Sequence, residues 1–261
     1  MTLHPIGVLR AARAIWTRDR AILGPLSGLF LFIPQWAILL LVPDLPMMAE
    51  GEATADAMTA WSTAMAAWVS QNGATYVAAA LVSQFGTLAI ATLYIGSGAG
   101  QAGRSMMRAA ALFWRFLLAL FLVGLPVAVA ATVLLSIGGA GVAAALAPIL
   151  YIVAVALLML VAPAVAAERG GAVRAISQAW AATRGNRLPL MLLAGIPTFA
   201  TQAIVAILLA TVRSLHGQNI ANPVVVALLD ALAAGTIWAS SLVLALSGVI
   251  AYGALSRSSP K

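Results

Sequence analysis

Residues 116–166 read FLLALFLVGLPVAVAATVLLSIGGAGVAAALAPILYIVAVALLMLVAPAVA and contain no charged side chain. About 20 apolar residues in a helix cross the hydrocarbon core of a bilayer, so this stretch is long enough for two crossings. Gly138–Gly141 divides the stretch, and a cluster of glycines in such a position is typical of a turn. The sequence therefore predicts two transmembrane helices, 116–137 and 142–166, joined by a tight hairpin at Gly138–Gly141.

Four more apolar runs flank this pair, at 21–42, 74–95, 188–212 and 223–252. The chain is 63% hydrophobic and 8% charged, whereas an ordinary soluble domain is about a quarter charged. We therefore expect an all-α integral membrane protein with six transmembrane helices. The six spans and their connections form a single membrane domain, 1–261, and we expect no soluble catalytic domain.

The basic side chains lie in alternate connections between the spans. All but one of the 14 Lys and Arg residues fall before the first span, between the second and third, between the fourth and fifth, or after the sixth. They are Arg10, Arg13, Arg18, Arg20, Arg104, Arg108, Arg115, Arg169, Arg174, Arg184, Arg187, Arg257 and Lys261, and the exception is Arg213. Because positively charged connections are retained in the cytoplasm, this pattern predicts that both termini are cytoplasmic.

Three of the basic stretches are predicted to form amphipathic helices on the cytoplasmic side. They lie around Arg10–Arg20, Arg104–Arg115 and Val173–Arg184, and they carry Trp16, Trp114 and Trp180 respectively. Basic helices with an apolar face lie in the membrane interface with that face towards the lipid.

A basic helix, the span that follows it and the returning span form a unit that occurs three times. The first span of each unit contains a similar tripeptide, at Phe32–Pro34, Gly124–Pro126 and Gly195–Pro197. This recurrence favours a parallel threefold internal repeat, because each unit begins on the same side of the membrane. The alternative is that proline is simply common in transmembrane helices.

The connection 43–72 is long, and it contains acidic residues, among them Glu50 and Glu52, but no basic residue. Within it, an apolar pattern at helical spacing places four side chains on one face of a helix. These side chains are Met58, Trp61, Met65 and Trp68. Because Trp favours the head-group level, one interpretation is a short helix on the outer interface. The other is a lid packed on the protein's own outer surface.

Asp230 is the only acidic residue predicted inside a span. It lies seven residues into the sixth span, about 10 Å from the outer end of that helix. Gln35, Gln84 and Gln202 fall at similar depths in other spans, so we expect one polar cluster in the outer half of the bundle. The functional interpretation is a vestibule for a polar or lipid head group, or a proton site. The structural interpretation is hydrogen bonding between helices, worth about 1 kcal/mol per contact.

The composition argues against catalysis and against nucleic-acid binding. The chain has no cysteine, and its two histidines, His4 and His216, are predicted on opposite sides of the membrane. Without a cluster of His or carboxylate side chains at ligand spacing, we expect a non-enzymatic protein with no metal and no cofactor. The net charge of +7 is spread over juxtamembrane stretches, which favours anionic lipid head groups over nucleic acid as the partner.

The most specific stretch of the sequence is residues 163–187, PAVAAERGGAVRAISQAWAATRGNR. A span ends near Pro163, and Glu168 follows where the chain leaves the lipid. An amphipathic helix then carries Ser177 and Trp180, and Gly185 suits a helix C-cap. This pattern predicts an elbow that lays a basic helix against the inner leaflet between two spans.

This stretch resembles the membrane domain of some bacterial glycerophosphoryl diester phosphodiesterases and of stand-alone YciC-like membrane proteins. The residues that carry the resemblance are Pro163, Glu168, Ala175, Ser177, Trp180, Thr183, Gly185 and Asn186. The resemblance implies a six-helix membrane domain of the bacterial inner membrane, whose own activity is poorly defined. The phosphodiesterase chemistry of such fusions belongs to a separate barrel domain, so hydrolase activity is not carried over.

The leading functional hypothesis is a membrane domain that engages anionic or glycerophospholipid head groups in lipid handling or envelope homeostasis. Its candidate head-group residues are Arg174, Arg184, Arg187 and Trp180. One alternative is a small transporter or channel whose path is lined by Asp230 and the three glutamines. Another is a scaffold or assembly partner for a second membrane protein.

Overall fold

The structure is a computed structural model that describes residues 3–46, 54–96, 101–168, 170–217 and 222–258, with only the backbone described at 55, 135–144, 217, 257 and 258. Its elements are α1 (Pro5–Ser27), a π-helical turn (Gly28–Phe32), α2 (Ile33–Leu41), α3 (Ala55–Tyr94), α4 (Ala102–Ala167), α5 (Ala172–Thr183), α6 (Arg187–Gly217) and α7 (Pro223–Ser258). The described residues contain no strand. Six helical segments are long and apolar enough to cross a membrane. The prediction of an all-α, multi-pass membrane protein is therefore confirmed.

The third and fourth spans lie within α4 and run antiparallel. Arg108 Nη2 donates a 2.8 Å hydrogen bond to the carbonyl oxygen of Ala166, 58 residues later, whereas a straight helix would separate these residues by about 90 Å. The helical segment therefore folds back on itself into a first arm, Ala102–Leu134, and a second arm, Ala145–Ala167. Because Arg108 meets Ala166, the reversal lies near the midpoint of these two positions in sequence, next to Gly138–Gly141, the predicted hairpin. Side chains at 135–144 lie outside the described residues.

The hydrophobic core lies towards one end of the bundle, which we call the basic end because Arg108, Arg115, Arg184 and Arg187 lie there. The largest fully buried side chains include Leu88, Ile90, Leu93, Phe116, Leu160, Val161, Leu190, Leu193 and Leu246. The opposite end, which we call the distal end, contains the ion pair between Asp44 and Arg213. Within α6, the described residues beyond Thr198 are partly or fully exposed. The spans are therefore packed tightly at the basic end and present apolar side chains outward at the distal end.

Two glycines allow close helix packing. A Cβ atom at Gly248 of α7 would collide with the carbonyl oxygen of Met159 in α4, and one at Gly86 of α3 would collide with the side chain of Phe30. The backbones of these helices approach each other closely because glycine has no side chain at these positions.

Only one of the three predicted basic helices is a separate element, and that is α5. The first is continuous with the first span through a kink at Asp19 (φ −110°, ψ 17°), and the second is the beginning of α4. Residues 104–116 contain no glycine or proline, so nothing interrupts the helix there. These two basic stretches are therefore helical, as predicted, and each runs directly into its span.

The apolar face of the N-terminal segment contacts protein. Val8 and Ala12 are buried, whereas Arg10 and Arg13 on the opposite face are exposed. At the end of this segment, the ring of Trp16 packs edge-on against Trp238, with 5.9 Å between the ring centroids. Its basic face is thus the surface left for solvent or lipid head groups.

The predicted outer helix and the second span are one continuous helix, α3, of 40 residues. At 1.5 Å per residue it is about 60 Å long, twice the thickness of the hydrocarbon core. Thr54 caps it by accepting a 3.2 Å hydrogen bond from the backbone N–H of Ala57. The interpretation of this segment as a short helix of its own was wrong, because the sequence between Trp68 and Ala74 contains one glycine and no proline to break the helix.

The tryptophan face of α3 contacts the protein's own chain. The indole N–H of Trp61 donates to the carbonyl of Pro46 at 3.0 Å, and that of Trp68 donates to the carbonyl of Pro43 at 2.9 Å. Of the two interpretations of this segment, packing on the protein is the one observed for these two side chains. Glu50 and Glu52 lie outside the described residues.

The three hairpins are α1–α2 with α3, the two arms of α4, and α6 with α7. In the most apolar stretch of each first span the buried share of residues is 28%, 11% and 22%, and in each second span it is 39%, 61% and 50%. The second span is more buried in every pair, as a repeat would require. The tripeptide prolines differ, however: Pro34 is buried behind the π-helical turn, Pro197 is half-buried and Pro126 is exposed. The threefold repeat stays a prediction.

Candidate functional site at the basic end

Helix α5 presents one face to the protein and the opposite face outward. Ala172, Ala175 and Ala179 are buried, and these small side chains let the helix lie close to α4. On the other face the side chain of Arg174 is 71% exposed and Trp180 is 46% exposed. The predicted elbow is therefore present, but its buried face lies against protein.

The turn after α5 contains the residues of the family-like motif and is built by local hydrogen bonds. Thr183 Oγ1 donates to the carbonyl of Trp180 at 2.7 Å, and Gly185 has φ +77°. A left-handed residue after the last helical turn is a common helix stop, and glycine adopts it without strain. The C-cap residue is the extended Arg184, and Gly185 is the left-handed residue that follows it in the turn closed by the Asn186 N–H and the Thr183 carbonyl.

Asn186 connects this turn to the N-terminal segment. It is 6% exposed, and its Oδ1 accepts a 2.7 Å hydrogen bond from the backbone N–H of Leu3. Sequence reasoning identified Asn186 as a motif residue but missed this partner, since the two positions are 183 residues apart. The asparagine therefore fixes the chain ahead of α1 on the elbow.

Four exposed residues form what we call the elbow surface: Arg174, Trp180, Arg184 and Arg187. The guanidinium carbon of Arg187 lies 5.9 Å from the centroid of the Trp180 ring, within the range of a cation–π contact. Leu188, the next residue, is 68% exposed. The four predicted head-group residues thus lie on α5, on the turn that follows it and on the first residue of α6, and Arg187 packs beside Trp180.

Two arginines of α4 bind the end of its own second arm. Arg108 donates to the carbonyl of Ala166, and Arg115 Nη1 donates to the carbonyl of Glu168 at 2.8 Å. The last carbonyls of a helix lack partners within it and carry partial negative charge, so cations stabilise this end. Sequence analysis took these arginines as topology signals and missed this role. Their seven-residue spacing, which places both on one helix face, was the available signal.

Glu168 is held by its backbone more firmly than by its carboxylate. Its carboxylate lies 3.8 Å from Arg174 Nε, beyond hydrogen-bonding distance. Pro163, five residues earlier, is buried, while Ser177 is exposed and donates to the carbonyl of Arg174 at 2.8 Å. The motif residues therefore shape the elbow, whereas its charge comes from the arginines.

Another polar contact at the basic end joins α1 to α3. Arg18 donates through Nε and Nη2 to the two oxygens of Asp19 at 2.9 and 2.8 Å, and the hydroxyl of Tyr94 donates to Asp19 at 2.8 Å. Asp19 precedes the first span, 21–42. The Arg18 guanidinium holds the pKa of the Asp19 carboxyl below its usual value, although burial acts against it.

No hydrogen bond among the described residues joins the members of the predicted outer polar cluster to one another. Gln35 Nε2 donates to Ser83 Oγ at 3.3 Å, and Gln84 is half-buried. Gln202 is exposed, because the less exposed face of α6 continues through Thr201 and neighbouring positions at helical spacing. Gln202 therefore does not join a buried cluster.

Asp230 is 5% exposed and has no hydrogen bond or ion pair to any described residue. The indole nitrogen of Trp36 is also buried without a partner. Asp44 and His216 are the titratable groups close enough to act on Asp230 electrostatically. The described residues contain no group of three His, Cys, Asp or Glu side chains that could hold a metal ion.

No family model, curated protein or solved structure matches this chain. The resemblance to YciC-like membrane domains therefore stays a prediction that rests on the elbow residues.

Proposed function

We propose that this protein is a bacterial inner-membrane protein that engages anionic glycerophospholipid head groups through the elbow surface. Both termini are cytoplasmic in this proposal, which places the elbow at the inner leaflet. The observation that carries it is the outward position of Arg174, Arg184 and Arg187 beside Trp180. No catalytic step is part of the proposal.

The electrostatics of the elbow surface support this proposal. Three arginines are exposed there, and the described acidic group nearest to them is Glu168, which is only loosely paired with Arg174. A basic side chain at an anionic membrane surface contributes about 1 kcal/mol. Trp180 adds an amphipathic ring of the kind that favours the head-group level. The surface therefore has the charge and the apolar anchor that an inner-leaflet site needs.

A quenching experiment tests the proposal at Trp180. The protein is reconstituted into mixed phosphatidylcholine and phosphatidylglycerol bilayers in which one or the other lipid is brominated. Because the chain has seven tryptophans, the Trp180 signal is the difference between the native protein and Trp180→Phe. We expect brominated phosphatidylglycerol to quench Trp180 as strongly as if this lipid were about fivefold more concentrated around Trp180 than in the bulk bilayer. A fivefold enrichment corresponds to a binding preference of about 1 kcal/mol.

The variant Arg174→Gln/Arg184→Gln/Arg187→Gln should abolish this preference. A control with the same charge change, Arg10→Gln/Arg13→Gln/Arg20→Gln, should retain most of it. Equal quenching by both brominated lipids in the native protein would contradict the proposal. So would an equal loss of preference in the two triple variants.

The orientation is tested separately with single cysteines, since the native chain has none. Ser177→Cys at the elbow and Ser62→Cys on α3 both replace exposed side chains. In intact cells whose outer membrane is permeable to a charged thiol reagent, Ser62→Cys should react and Ser177→Cys should not. The reverse pattern would overturn the assignment of the elbow to the inner leaflet.

A transporter or channel is the second candidate, and the observation that favours it is the buried carboxyl of Asp230, which has no hydrogen bond or ion pair to a described residue. Intramembrane ionisable residues usually face a cavity or a partner. Asp230→Cys should react with a membrane-impermeant thiol reagent if it lines an aqueous path. Protection from the reagent, with Ser62→Cys labelled in parallel, would count against a path from that side.

A further inference from the structure

Arg115 leaves one edge of its guanidinium group unfilled. Its Nη1 binds the carbonyl of Glu168, whereas Nε and Nη2 are enclosed and have no hydrogen-bond partner among the described residues. An enclosed N–H of a charged group without an acceptor is costly, because water cannot replace the missing partner. The arrangement is therefore complete only when something supplies acceptors at this edge.

The unfilled edge is the one that binds oxyanions. Nε and Nη2 form a flat pair of donors that matches two oxygens of a carboxylate or a phosphate. Arg18 in this same protein uses these two nitrogens to hold both oxygens of Asp19. The edge that Asp19 fills at Arg18 is thus covered by protein but without an acceptor at Arg115, so an anion binds there when the covering side chains move aside.

The charges around Arg115 favour an anion from outside the chain. Arg108 binds the end of the same helical arm, and Arg174 lies near Glu168. Glu168 is the only carboxylate that the described contacts place among these three guanidinium groups, and its side chain pairs loosely with Arg174. An added anion would therefore meet a net positive site.

The position of Arg115 matches the depth of lipid phosphates. It immediately precedes the third span, 116–137, and its neighbour Trp114 is 81% exposed. This part of α4 therefore faces the membrane surroundings, and a phosphate reaching it lies at the head-group level.

We propose that Arg115 binds a single phosphate group, as a monoester or diester anion, through Nε and Nη2, with Arg108 supporting the charge. This site goes beyond the proposed function, because it requires one anion at a defined position and its donors, on Arg115, lie outside the elbow surface. Its phosphate can come from a phospholipid head group or from a soluble phosphate compound.

The test measures binding to the full chain in a phosphate-free, uncharged detergent. Native mass spectrometry follows the binding of added phosphatidylglycerol, and thermal unfolding follows the shift caused by inorganic phosphate, with sulfate as the comparison ion. We expect one tightly held phosphatidylglycerol, a phosphate-dependent shift, or both. Lipid binding alone identifies a lipid source, and a phosphate shift alone identifies a soluble one. The absence of both lipid binding and a phosphate-dependent shift would overturn the proposal.

The informative variant is Arg115→Lys, which keeps the charge and can still reach the Glu168 carbonyl but lacks the two-nitrogen edge. It should weaken binding of the single phosphate about tenfold or more, the scale of one charge-assisted pair. Arg184→Gln at the elbow removes a full charge and should change the affinity for the single phosphate by less than threefold. Equal effects of the two variants would contradict a specific site at Arg115.

A second measurement covers the possibility that Arg115→Lys misfolds. Glu168→Gln removes the carboxylate that competes for the guanidinium groups and leaves the Glu168 carbonyl in place. It should strengthen phosphate binding at least about twofold. Unchanged or weaker binding in a well-folded Glu168→Gln protein would mean that the bound anion does not lie beside the Glu168 carboxylate, and the site as proposed would be rejected.

Discussion

The two ends of this bundle hold their chain segments by different means. At the basic end, buried apolar side chains are joined by long-range bonds to backbone groups, from Asn186 to the Leu3 amide and from Arg108 to the Ala166 carbonyl. At the distal end, the connection after α2 is held by two indole N–H groups and by an exposed ion pair. The contrast indicates that global stability resides at the basic end and that the distal end can loosen locally.

The largest effect is expected from Gly248→Ala at the close contact of α7 with α4. The added Cβ would collide with the Met159 carbonyl, and overpacking of this kind costs about 1–3 kcal/mol. Thermal unfolding in detergent measures the loss. Gly253→Ala on the same helix meets nothing within 4 Å and should be neutral or slightly stabilising. Equal destabilisation by both would show that the basic end is not tightly packed.

Asn186→Ala is expected to rank second. It removes the acceptor of the Leu3 amide and leaves that buried N–H without this partner, which costs about 1–3 kcal/mol. The melting temperature reports the loss, and hydrogen exchange should show faster exchange in the first turn of α1. Ser177→Ala, in which only a local bond is lost, should cost under about 0.5 kcal/mol. If the Asn186→Ala protein were as stable as Ser177→Ala, the hydrogen bond between Leu3 and Asn186 would not contribute to stability.

Changes at the distal end should be smaller and local. Trp61→Phe/Trp68→Phe keeps the aromatic rings but removes the two donors to Pro46 and Pro43, at about 0.5–1.5 kcal/mol each. We expect faster hydrogen exchange or proteolysis at residues 43–46 with little change in the global unfolding temperature. A drop in melting temperature as large as that of Gly248→Ala would show that the distal end contributes as much to global stability as the basic end.

The smallest effect is expected from Arg213→Ala. The Arg213–Asp44 pair is exposed on both sides, and such pairs contribute at most about 1 kcal/mol and are screened by salt. The free energy of unfolding should change less between low and high salt for the variant than for the native protein. A salt-independent loss above about 1 kcal/mol would show that the pair is structural.

The sequence predicts features that depend on neighbouring residues alone. Long apolar runs predict the six spans, and the requirement for a left-handed residue predicts Gly185 as a helix stop. The same local logic failed for α3, where the Trp61 and Trp68 face was correctly helical but the sequence gives no measure of whether a helix continues. The periodicity of apolar residues shows which side chains share a helix face, whereas the absence of a helix-breaking residue decides whether the helix continues.

Features that depend on which helices become neighbours could not be predicted. Arg108 and Arg115 bind carbonyls more than 50 residues away, and nothing in their own surroundings names those partners. Gln202 illustrates the converse: its position along the span does not say which face of α6 turns inward, and its side chain is exposed. The residues of the elbow surface could be predicted from their types and positions in the sequence. The hydrogen bond by which Asn186 joins the elbow to Leu3 could not.

Helix α3 also has a mechanical consequence. One rod of about 60 Å holds the connection after α2 at one extremity, through Trp61 and Trp68, and Asp19 at the other, through Tyr94. Pivoting by about 10° about its close contact at Gly86 would move Trp61, about 38 Å away, by about 6–7 Å and Tyr94, about 12 Å away, by about 2 Å. A push on the connection at one face of the membrane is thereby delivered to the kink in α1 at the other, without any intervening hinge.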